Sequence, residues 1–389
     1  MANRDAIDAI APEITEIRRD IHAHPEIGMT ETRTSALVAE KLRSWGIEVH
    51  SGIGRTGVVG VLRRGNGHGR IGLRADMDAL PIDEATGLAY ASRNPGVMHA
   101  CGHDGHTAML LGAAKYLAEN GGFSGTVHFI FQPAEEGLGG ARAMIADGLF
   151  EQFPCDAVFG MHNRPGLEVG RFAIRPGTQM AGGAFFDIAI AGKGSHGARP
   201  EAGIDPVVVA AQLVSSLQSI VARRVPPTDT AVLSVTRIAA GEAYNVIPET
   251  ATLRGTARTM KHETMALLEA EMRRLAEGVA GGFGARAEVD FRVLFAPLVN
   301  DARETEAIVA AASRVAGAQR VEAQGPQTMA SEDFSFMLEK VPGAFINLGN
   351  GGGAEVHNPL YNFNDAAIPH GIALWAGIVE EKLPKAGGE

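Results

Sequence analysis

The sequence has 389 residues, of which 45% are hydrophobic and 21% charged, as in a globular protein long enough for two domains. Its formal net charge of −10 argues against nucleic acid or an anionic membrane as the main partner. Two cysteines are too few for a disulfide framework, and we find no signal peptide and no apolar run of membrane-spanning length. These properties predict a cytoplasmic protein.

The N-terminal segment predicts two helices followed by two strands. Isoleucines spaced three and four residues apart indicate a helix over 5–24, and a second helix is expected over 31–46. Residues 48–64 predict two strands around a turn that contains a G-x-G-x-x-G motif. A dinucleotide site needs a helix after this motif, whereas the extended VVGVLRR follows here. We therefore interpret its glycines as turn residues.

Three further segments are apolar and end in polar side chains, which predicts strands over 71–81, 126–136 and 156–163. TAMLLGAAKYLAEN, between the first two, predicts a helix. Alternating strands and helices indicate an α/β sheet, in which functional groups collect at the carboxyl ends of the strands.

Residues 182–295 show a different order of elements. The pattern predicts a strand, a helix, two strands, a helix and a strand, and this β-α-β-β-α-β order is that of a ferredoxin-like unit. The remaining segment predicts helices at 302–316 and 330–340, a strand at AFINLG and a final helix. We therefore expect one domain formed by 1–181 and 296–389, and a second domain, 182–295, inserted into it.

The octapeptide HACGHDGH concentrates side chains that bind metals or transfer protons. Cys101 and His103 are two residues apart, so they can face one side of a turn and bind a borderline or soft divalent cation. Asp104 and His106 lie where a helix begins and are expected to cap or support it, and His99 has no assigned role. The alternative is a capped polar turn without a metal.

The adjacent carboxylates Glu135 and Glu136 strengthen the metal hypothesis. If both are buried they repel each other, whereas a divalent cation bound by one leaves the other available as a general base. The alternative is a pair of solvated surface acids. Together with histidines at a strand end and in a loop, the candidate ligands suit two ions with a bridging water: Cys101, His103, Glu136, His162 and His357.

Eight motifs, in order along the chain, resemble those of a known family: RADMDALP, MHACGHDGHTAMLLGAA, FQPAEEGLGGARAMI, GMHN, GKGSHGARPEAGIDP, NVIPETATLRGTART, ASEDFSF and HNPLYNF. The chain is similar over nearly its whole length to the metal-dependent aminoacylase and carboxypeptidase family of amidohydrolases. The most similar branch contains the hippurate hydrolases, N-acyl-amino-acid amidohydrolases and auxin-conjugate hydrolases.

This resemblance implies a zinc-peptidase-like α/β catalytic domain with an inserted ferredoxin-like lid and dimerisation domain. It also implies a homodimer or a dimer-based tetramer. The five candidate ligands match the family's metal ligands, and the implied cofactor is a pair of divalent ions: manganese, zinc, cobalt or nickel.

The resemblance further implies a role for each remaining site residue. Glu135 matches the general base, which takes a proton from a water that bridges the metals. His196 matches a lid histidine that helps to hold the tetrahedral intermediate, often across a dimer interface. Asn245 and Arg258 match substrate contacts, Arg258 for the carboxylate. More distant relatives have His-x-Asp where this chain has Asp76 and Asp78, which we expect to orient ligand imidazoles.

The expected function is hydrolysis of the amide bond of N-acyl amino acids. Alternatives within the family are a dipeptidase and a carbamoyl-amino-acid hydrolase. A non-catalytic metal-binding or amino-acid-binding protein is disfavoured because a structural zinc site needs no spare carboxylate beside it. A serine hydrolase is disfavoured because no G-x-S-x-G motif is present.

Overall fold

The computed structural model of the chain describes residues 3–385. The chain forms two compact units, one comprising Met1–Gln179, Val299–Pro326 and Asp333–Glu389 and the other Met180–Leu298 and Gln327–Glu332. The predicted α/β class is confirmed. The short segment 327–332, which we expected to continue the first domain, belongs to the second unit.

Helices and strands alternate along most of the described chain. The α-helices are α1 (Arg4–Ala23), α2 (Thr32–Ser44), α3 (His103–Asn120), α4 (Gly140–Ala146), α5 (Leu149–Gln152), α6 (Pro206–Arg223), α7 (His262–Gly282), α8 (Ala302–Ala316), α9 (Ser335–Leu338) and α10 (Ile368–Lys382). The strands are β1 (Glu48–Ile53), β2 (Gly57–Arg64), β3 (Arg70–Asp76), β4 (Gly125–Gln132), β5 (Ala157–Pro165), β6 (Phe172–Ala173), β7 (Gly177–Met180), β8 (Gly182–Ala191), β9 (Ser195–His196), β10 (Ala231–Ala240), β11 (Val246–Ile247), β12 (Thr250–Thr259), β13 (Arg286–Phe295), β14 (Leu298–Asn300), β15 (Val321–Glu322) and β16 (Gly343–Gly351).

The first unit is built on an eight-stranded sheet in the order β1-β2-β4-β3-β5-β16-β6-β15. Its four central strands, β4, β3, β5 and β16, run parallel, so their carboxyl ends share one edge. β1 and β2 form an antiparallel pair, which confirms that the glycine motif between them is a turn. This edge of the sheet positions the predicted site.

Helix α3 is enclosed by its neighbours, since nearly all of its residues are buried. It packs between α1 and α10, and Gly112 allows the three helices to approach closely. A Cβ at Gly112 would lie 2.4 Å from Ile372 Cδ1 and 3.2 Å from Ile14 Cγ1. Because α3 begins at His103, this packing also fixes a residue of the predicted site.

Three predicted elements differ from the structure. The predicted strands 71–81 and 126–136 end earlier, at Asp76 and Gln132, so the polar residues that follow lie in loops. The predicted helix 330–340 is reduced to the single turn α9. The reason is tertiary, because Asp333 is held in place by buried side chains of the sheet instead of a helical neighbour.

The second unit has the predicted β-α-β-β-α-β order, formed by β8, α6, β10, β12, α7 and β13. Its antiparallel sheet has the order β10-β12-β8-β13, and α6 and α7 share a hydrophobic core with it. Of the described helices, α6 alone is long and apolar enough to cross a membrane by length and composition. Its residues Val209, Leu213 and Leu217 are buried in this core.

The close packing at Gly112 yields a stability prediction. Gly112→Leu should lower the free energy of unfolding by about 1–3 kcal/mol, because the new side chain forces α10 and α1 apart. Gly278 in α7 is the control, since a Cβ there meets nothing within 4 Å. Gly278→Ala should raise the free energy of unfolding by about 0.5–1 kcal/mol. Urea denaturation measures both, and a wild-type midpoint for Gly112→Leu would contradict the packing argument.

Candidate metal centre

The predicted ligands and the predicted base all come from the first unit, near the carboxyl ends of its parallel strands. Cys101 lies in the loop before α3, and His103 is the first residue of α3. Glu135 and Glu136 follow β4, His162 lies within β5, and His357 lies in the loop after β16. The fold thus brings together residues separated by up to 256 positions in the sequence.

The ligand atoms form two groups that share Cys101. In one group Cys101 lies with His103 and His162, and in the other it lies with Glu136 and His357. Within each group the candidate ligand atoms lie within 4.8 Å of one another. Cys101 Sγ is 3.4 Å from His162 Nε2, and His357 Nε2 is 3.2 Å from Glu136 Oε1. This arrangement is suited to two neighbouring cations with one thiolate between them.

The types of ligand atom in the two groups, and one ring nitrogen without a hydrogen bond, fit a divalent cation. His103 Nδ1 faces Asp78, at 2.9 Å from its carbonyl oxygen and 3.1 Å from its carboxylate. His103 Nε2 is buried without a hydrogen-bond partner among residues 3–385. A buried imidazole with Nδ1 occupied and Nε2 unsatisfied is the usual state of a histidine prepared to bind a metal.

Protons compete with a cation for Cys101 and His357, whereas His162 is ready to bind one. Burial, together with the nearby Glu136 carboxylate, raises the pKa of the Cys101 thiol. Hydrogen bonds to Cys101 and Glu136 raise the pKa of His357 to about 10. Burial lowers the pKa of His162 well below its ordinary value, so this ring is neutral and can donate a lone pair. Metal binding here would displace protons from Cys101 and His357.

The two aspartates of RADMD lie directly behind the predicted ligands. Asp78 accepts a hydrogen bond from the Glu136 backbone N–H at 3.0 Å, in addition to its contact with His103. Asp76 lies 2.7 Å from His106 Nδ1 and 3.8 Å from His103 Nε2. Asp78 therefore contacts two candidate ligands, whereas Asp76 mainly orients His106.

Of the two roles expected for Asp104, capping or supporting α3, the structure shows the supporting one. Gly102, with φ 94°, occupies the N-cap of α3 and makes no side-chain cap. Asp104 is instead fully buried and pairs with His22 at 2.8 Å and with Arg18 at 3.3 Å. Its partners come from α1, more than 80 positions away, so local sequence could not indicate them. His99 is buried beside this cluster and its ring nitrogens have no partner among the described residues.

Sequence reasoning missed a buried hydrogen-bond network that connects Asp76, behind the candidate ligands, to the predicted base Glu135. The Arg74 guanidinium donates to Asp76 at 2.7 Å, to Asp333 at 3.1 Å and to Gln132 at 2.8 Å. The Asp333 backbone N–H donates to Glu135 Oε1 at 3.4 Å. Arg74 and Asp333 both lie within the quoted motifs RADMDALP and ASEDFSF, so the motifs contained a signal for them.

The remaining candidate residues belong to the second unit. His196 is exposed in β9, which pairs with β11, and the Gly197 N–H donates to the Asn245 carbonyl at 2.7 Å, so His196 and Asn245 are neighbours. Arg258 lies in β12, apart from this pair along the chain. Its guanidinium lies 6.0 Å from the Phe185 ring and donates to the Ala257 carbonyl and the Thr256 hydroxyl.

An α/β sheet with a cluster of thiol, histidine and carboxylate ligands at its carboxyl edge is typical of metal-dependent hydrolases. The chain belongs to the peptidase family M20/M25/M40, whose sequence profile matches residues 72–381. This finding confirms the predicted resemblance.

Individual relatives cover almost the full chain. It is 43% identical to a hippurate hydrolase of Campylobacter jejuni subsp. jejuni serotype O:2, over 95% of this chain and 97% of the relative. It is 40% identical to an N-acetylcysteine deacetylase of Bacillus subtilis, over 92% and 94% respectively. Among solved structures it resembles the YXEP protein of Bacillus subtilis, a dinuclear metal binding peptidase of the M20 family. That match has a TM-score of 0.83, 37% identity and coverage of 97% and 100%.

The buried ion pair between His22 and Asp104 predicts that the free energy of unfolding depends on pH. Burial alone would lower the pKa of His22, but Asp104, assisted by Glu84, outweighs it and raises this pKa from 6.5 to about 9. The paired, protonated His22 therefore stabilises the fold fully below pH 6.5, and this stabilisation is lost as the pH rises through 9.

His22→Gln should consequently lower the free energy of unfolding more at pH 6 than at pH 10, by up to about 3 kcal/mol. Chemical denaturation at the two pH values measures the difference. Ile21→Val is the control. It leaves a small cavity but removes no titrating group, so its effect on the free energy of unfolding should be the same at both pH values. A His22→Gln cost that is the same at both pH values would rule out the ion pair as its source.

Proposed function

We propose that the protein hydrolyses the amide bond of N-acyl amino acids, with the first unit as the catalytic domain and the second as a lid. The observation that carries the proposal is a buried carboxylate, Glu135, which adjoins two ligand triads that share Cys101. A closed structural metal site needs no such extra carboxylate. Relatives named for cleaving hippurate and N-acetylcysteine support the N-acyl amino acid as substrate.

We propose two divalent cations, of manganese, zinc, cobalt or nickel, as the cofactor. Cys101, His103 and His162 would hold one, and Cys101, Glu136 and His357 the other. Bound cations of this kind supply Lewis-acid activation of the acyl carbonyl and of the attacking water. Asp78 binds Nδ1 of His103, so the unsatisfied Nε2 of this ring would be the atom that binds a cation.

Glu135 acts as the proton carrier of the reaction. Its carboxylate removes a proton from the attacking water and then delivers it to the leaving amine nitrogen. The Asp333 N–H donates to one of its oxygens and so orients this carboxylate. His196 helps to hold the developing oxyanion, and Asn245 contacts the substrate.

Arg258 is the proposed partner of the substrate carboxylate. It forms no salt bridge with any described residue, whereas its neighbours on the sheet, Arg254 and Arg292, both pair with Asp187. Burial lowers the pKa of Arg258, which means that its positive charge is incompletely solvated. An incompletely solvated guanidinium favours an anionic ligand such as a carboxylate.

The two adjacent glutamates provide the test of this mechanism. Glu135→Gln should abolish turnover of hippurate and N-acetyl amino acids while the metal content stays that of wild type. Glu136→Gln, the matched control, should lower the metal content, because it removes a ligand. Steady-state kinetics and elemental analysis of chelator-free protein measure these effects.

Either of two results would sink the proposal. One is full activity of Glu135→Gln. The other is a wild-type protein that cleaves dipeptides or carbamoyl amino acids but no N-acyl amino acid.

We further propose that the protein is a cytoplasmic homodimer, joined through the second unit. Strand β10 lies at an edge of its sheet and, among residues 3–385, pairs only with β12, so its outer edge could pair with a second copy. The apolar side chains of Val232 and Ile238 on this strand are exposed, and Tyr244 just beyond it is fully exposed. Aromatic and aliphatic side chains along a free edge are typical of a subunit interface.

Ile238→Lys combined with Tyr244→Lys should convert the dimer to a monomer, because it places charges in the apolar contact. Size-exclusion chromatography with light scattering gives the mass. Val299→Lys, at an exposed apolar residue of the first unit, should leave the mass unchanged. A wild-type monomer, or an unaltered dimer of the double variant, would contradict this interface.

A further inference from the structure

The loop that carries Glu135 begins with a strained residue. Ala134, directly before the base, has φ 52°, in the left-handed region that an L-residue with a Cβ rarely adopts. This conformation is unfavourable for an alanine, because its Cβ lies too close to the following carbonyl oxygen. The residue is fully buried, and a Cβ on Gly28 would come within 2.9 Å of its Cα, so the surroundings leave little space for another backbone path.

One hydrogen bond links this strained residue to a distant buried carboxylate. Glu31 Oε1 accepts the Ala134 backbone N–H at 2.8 Å, and Glu31 Oε2 accepts the Thr56 hydroxyl at 2.6 Å. Glu31 is fully buried, and no basic side chain of the described residues forms an ion pair with it. Burying a carboxylate without a cation is costly, so these accepted hydrogen bonds must offset much of the penalty.

The position of Glu31 suggests that it caps helix α2, but its side chain does not do so. It precedes α2 at the N-cap position, yet its side chain caps no helical N–H. The N–H groups of Arg33 and Thr34 are instead bound by the Glu26 carboxylate, at 2.9 and 2.8 Å. Helix capping therefore does not explain why a carboxylate is buried at position 31.

We propose that Glu31 is a positioning residue for catalysis, which holds Ala134 in its left-handed conformation and thereby aims the Glu135 carboxylate. The inference rests on the proposed role of Glu135 as the base. Residues 134 and 135 are adjacent, so relaxation of Ala134 to a common φ would rotate the Glu135 side chain away from its position beside Asp333. Catalytic groups tolerate little misplacement, since an error of about 1 Å can cost about 100-fold in rate.

The test is a double-mutant cycle between Glu31 and Ala134, measured on metal-loaded full-length protein. Glu31→Met should lower kcat about 10–100-fold, with KM and metal content close to wild type, because it removes the acceptor. Ala134→Gly should have little effect alone, since glycine adopts a positive φ without strain. In the double variant, Ala134→Gly should recover part of the activity lost through Glu31→Met.

Two further variants separate positioning from general stability. Thr56→Val removes the other hydrogen bond of Glu31 and should lower stability while kcat is retained. Glu31→Gln keeps an acceptor for Ala134 and should retain kcat, whereas Glu31→Asp keeps the charge but is too short to reach Ala134 and should lower kcat. If Glu31→Met fails to fold, Glu31→Asp replaces it as the variant that tests the contact with Ala134.

Hydrogen exchange of the peptide that covers residues 129–140 gives a readout independent of activity. Its amides should exchange faster in Glu31→Met and Glu31→Asp than in wild type or Glu31→Gln. Unchanged kcat and unchanged exchange in folded Glu31→Met would overturn the positioning role, and so would a double variant without any recovery. If wild type hydrolysed no N-acyl amino acid, the proposed function would fail, and the exchange rates would still decide the Glu31 contact.

Discussion

The buried guanidinium of Arg74 is the interaction on which the site depends. It lies in β3, at the centre of the sheet, and donates to Asp76 on one side and Asp333 on the other, with all three side chains fully buried. Without this positive charge the two carboxylates would repel each other in a medium of low polarity. Asp76 orients His106, and the Asp333 N–H binds Glu135. The Arg74 guanidinium therefore organises both the residues behind the candidate ligands and the proposed base.

Around this centre, further groups hold several residues of the site in place. Asp78 binds His103 and the Glu136 backbone, and the Asn163 amide donates to the Cys101 carbonyl while it accepts from Tyr361. Such contacts fix the direction of a ligand before a metal or substrate arrives, which reduces the reorganisation required during catalysis. The Glu31 contact with Ala134 follows the same principle, applied to the backbone.

The failed local predictions have a common physical cause. Asp104 was expected to cap or support α3, and residues 330–340 were expected to form a helix. The capping role and the helix fail because both inferences weighed only neighbours in sequence. In the fold, Asp104 is bound by Arg18 and His22 of α1, and Asp333 by Arg74 of β3 and Gln132 of β4. The free energy of a buried carboxylate depends on its partners, and these partners lie far away along the chain.

Hydrophobic pattern and motifs were sufficient to predict the α/β class, the order of the main elements in the second unit, the family and the candidate ligands. They could do so because hydrophobic periodicity and short motifs are local properties of the chain. The fold was needed to show that Cys101 belongs to both ligand groups, that Arg74 joins Asp76 to Asp333, and that Glu31 reaches Ala134. These contacts join residues that are far apart in sequence. They form because parallel strands bring their carboxyl ends to one edge of the sheet.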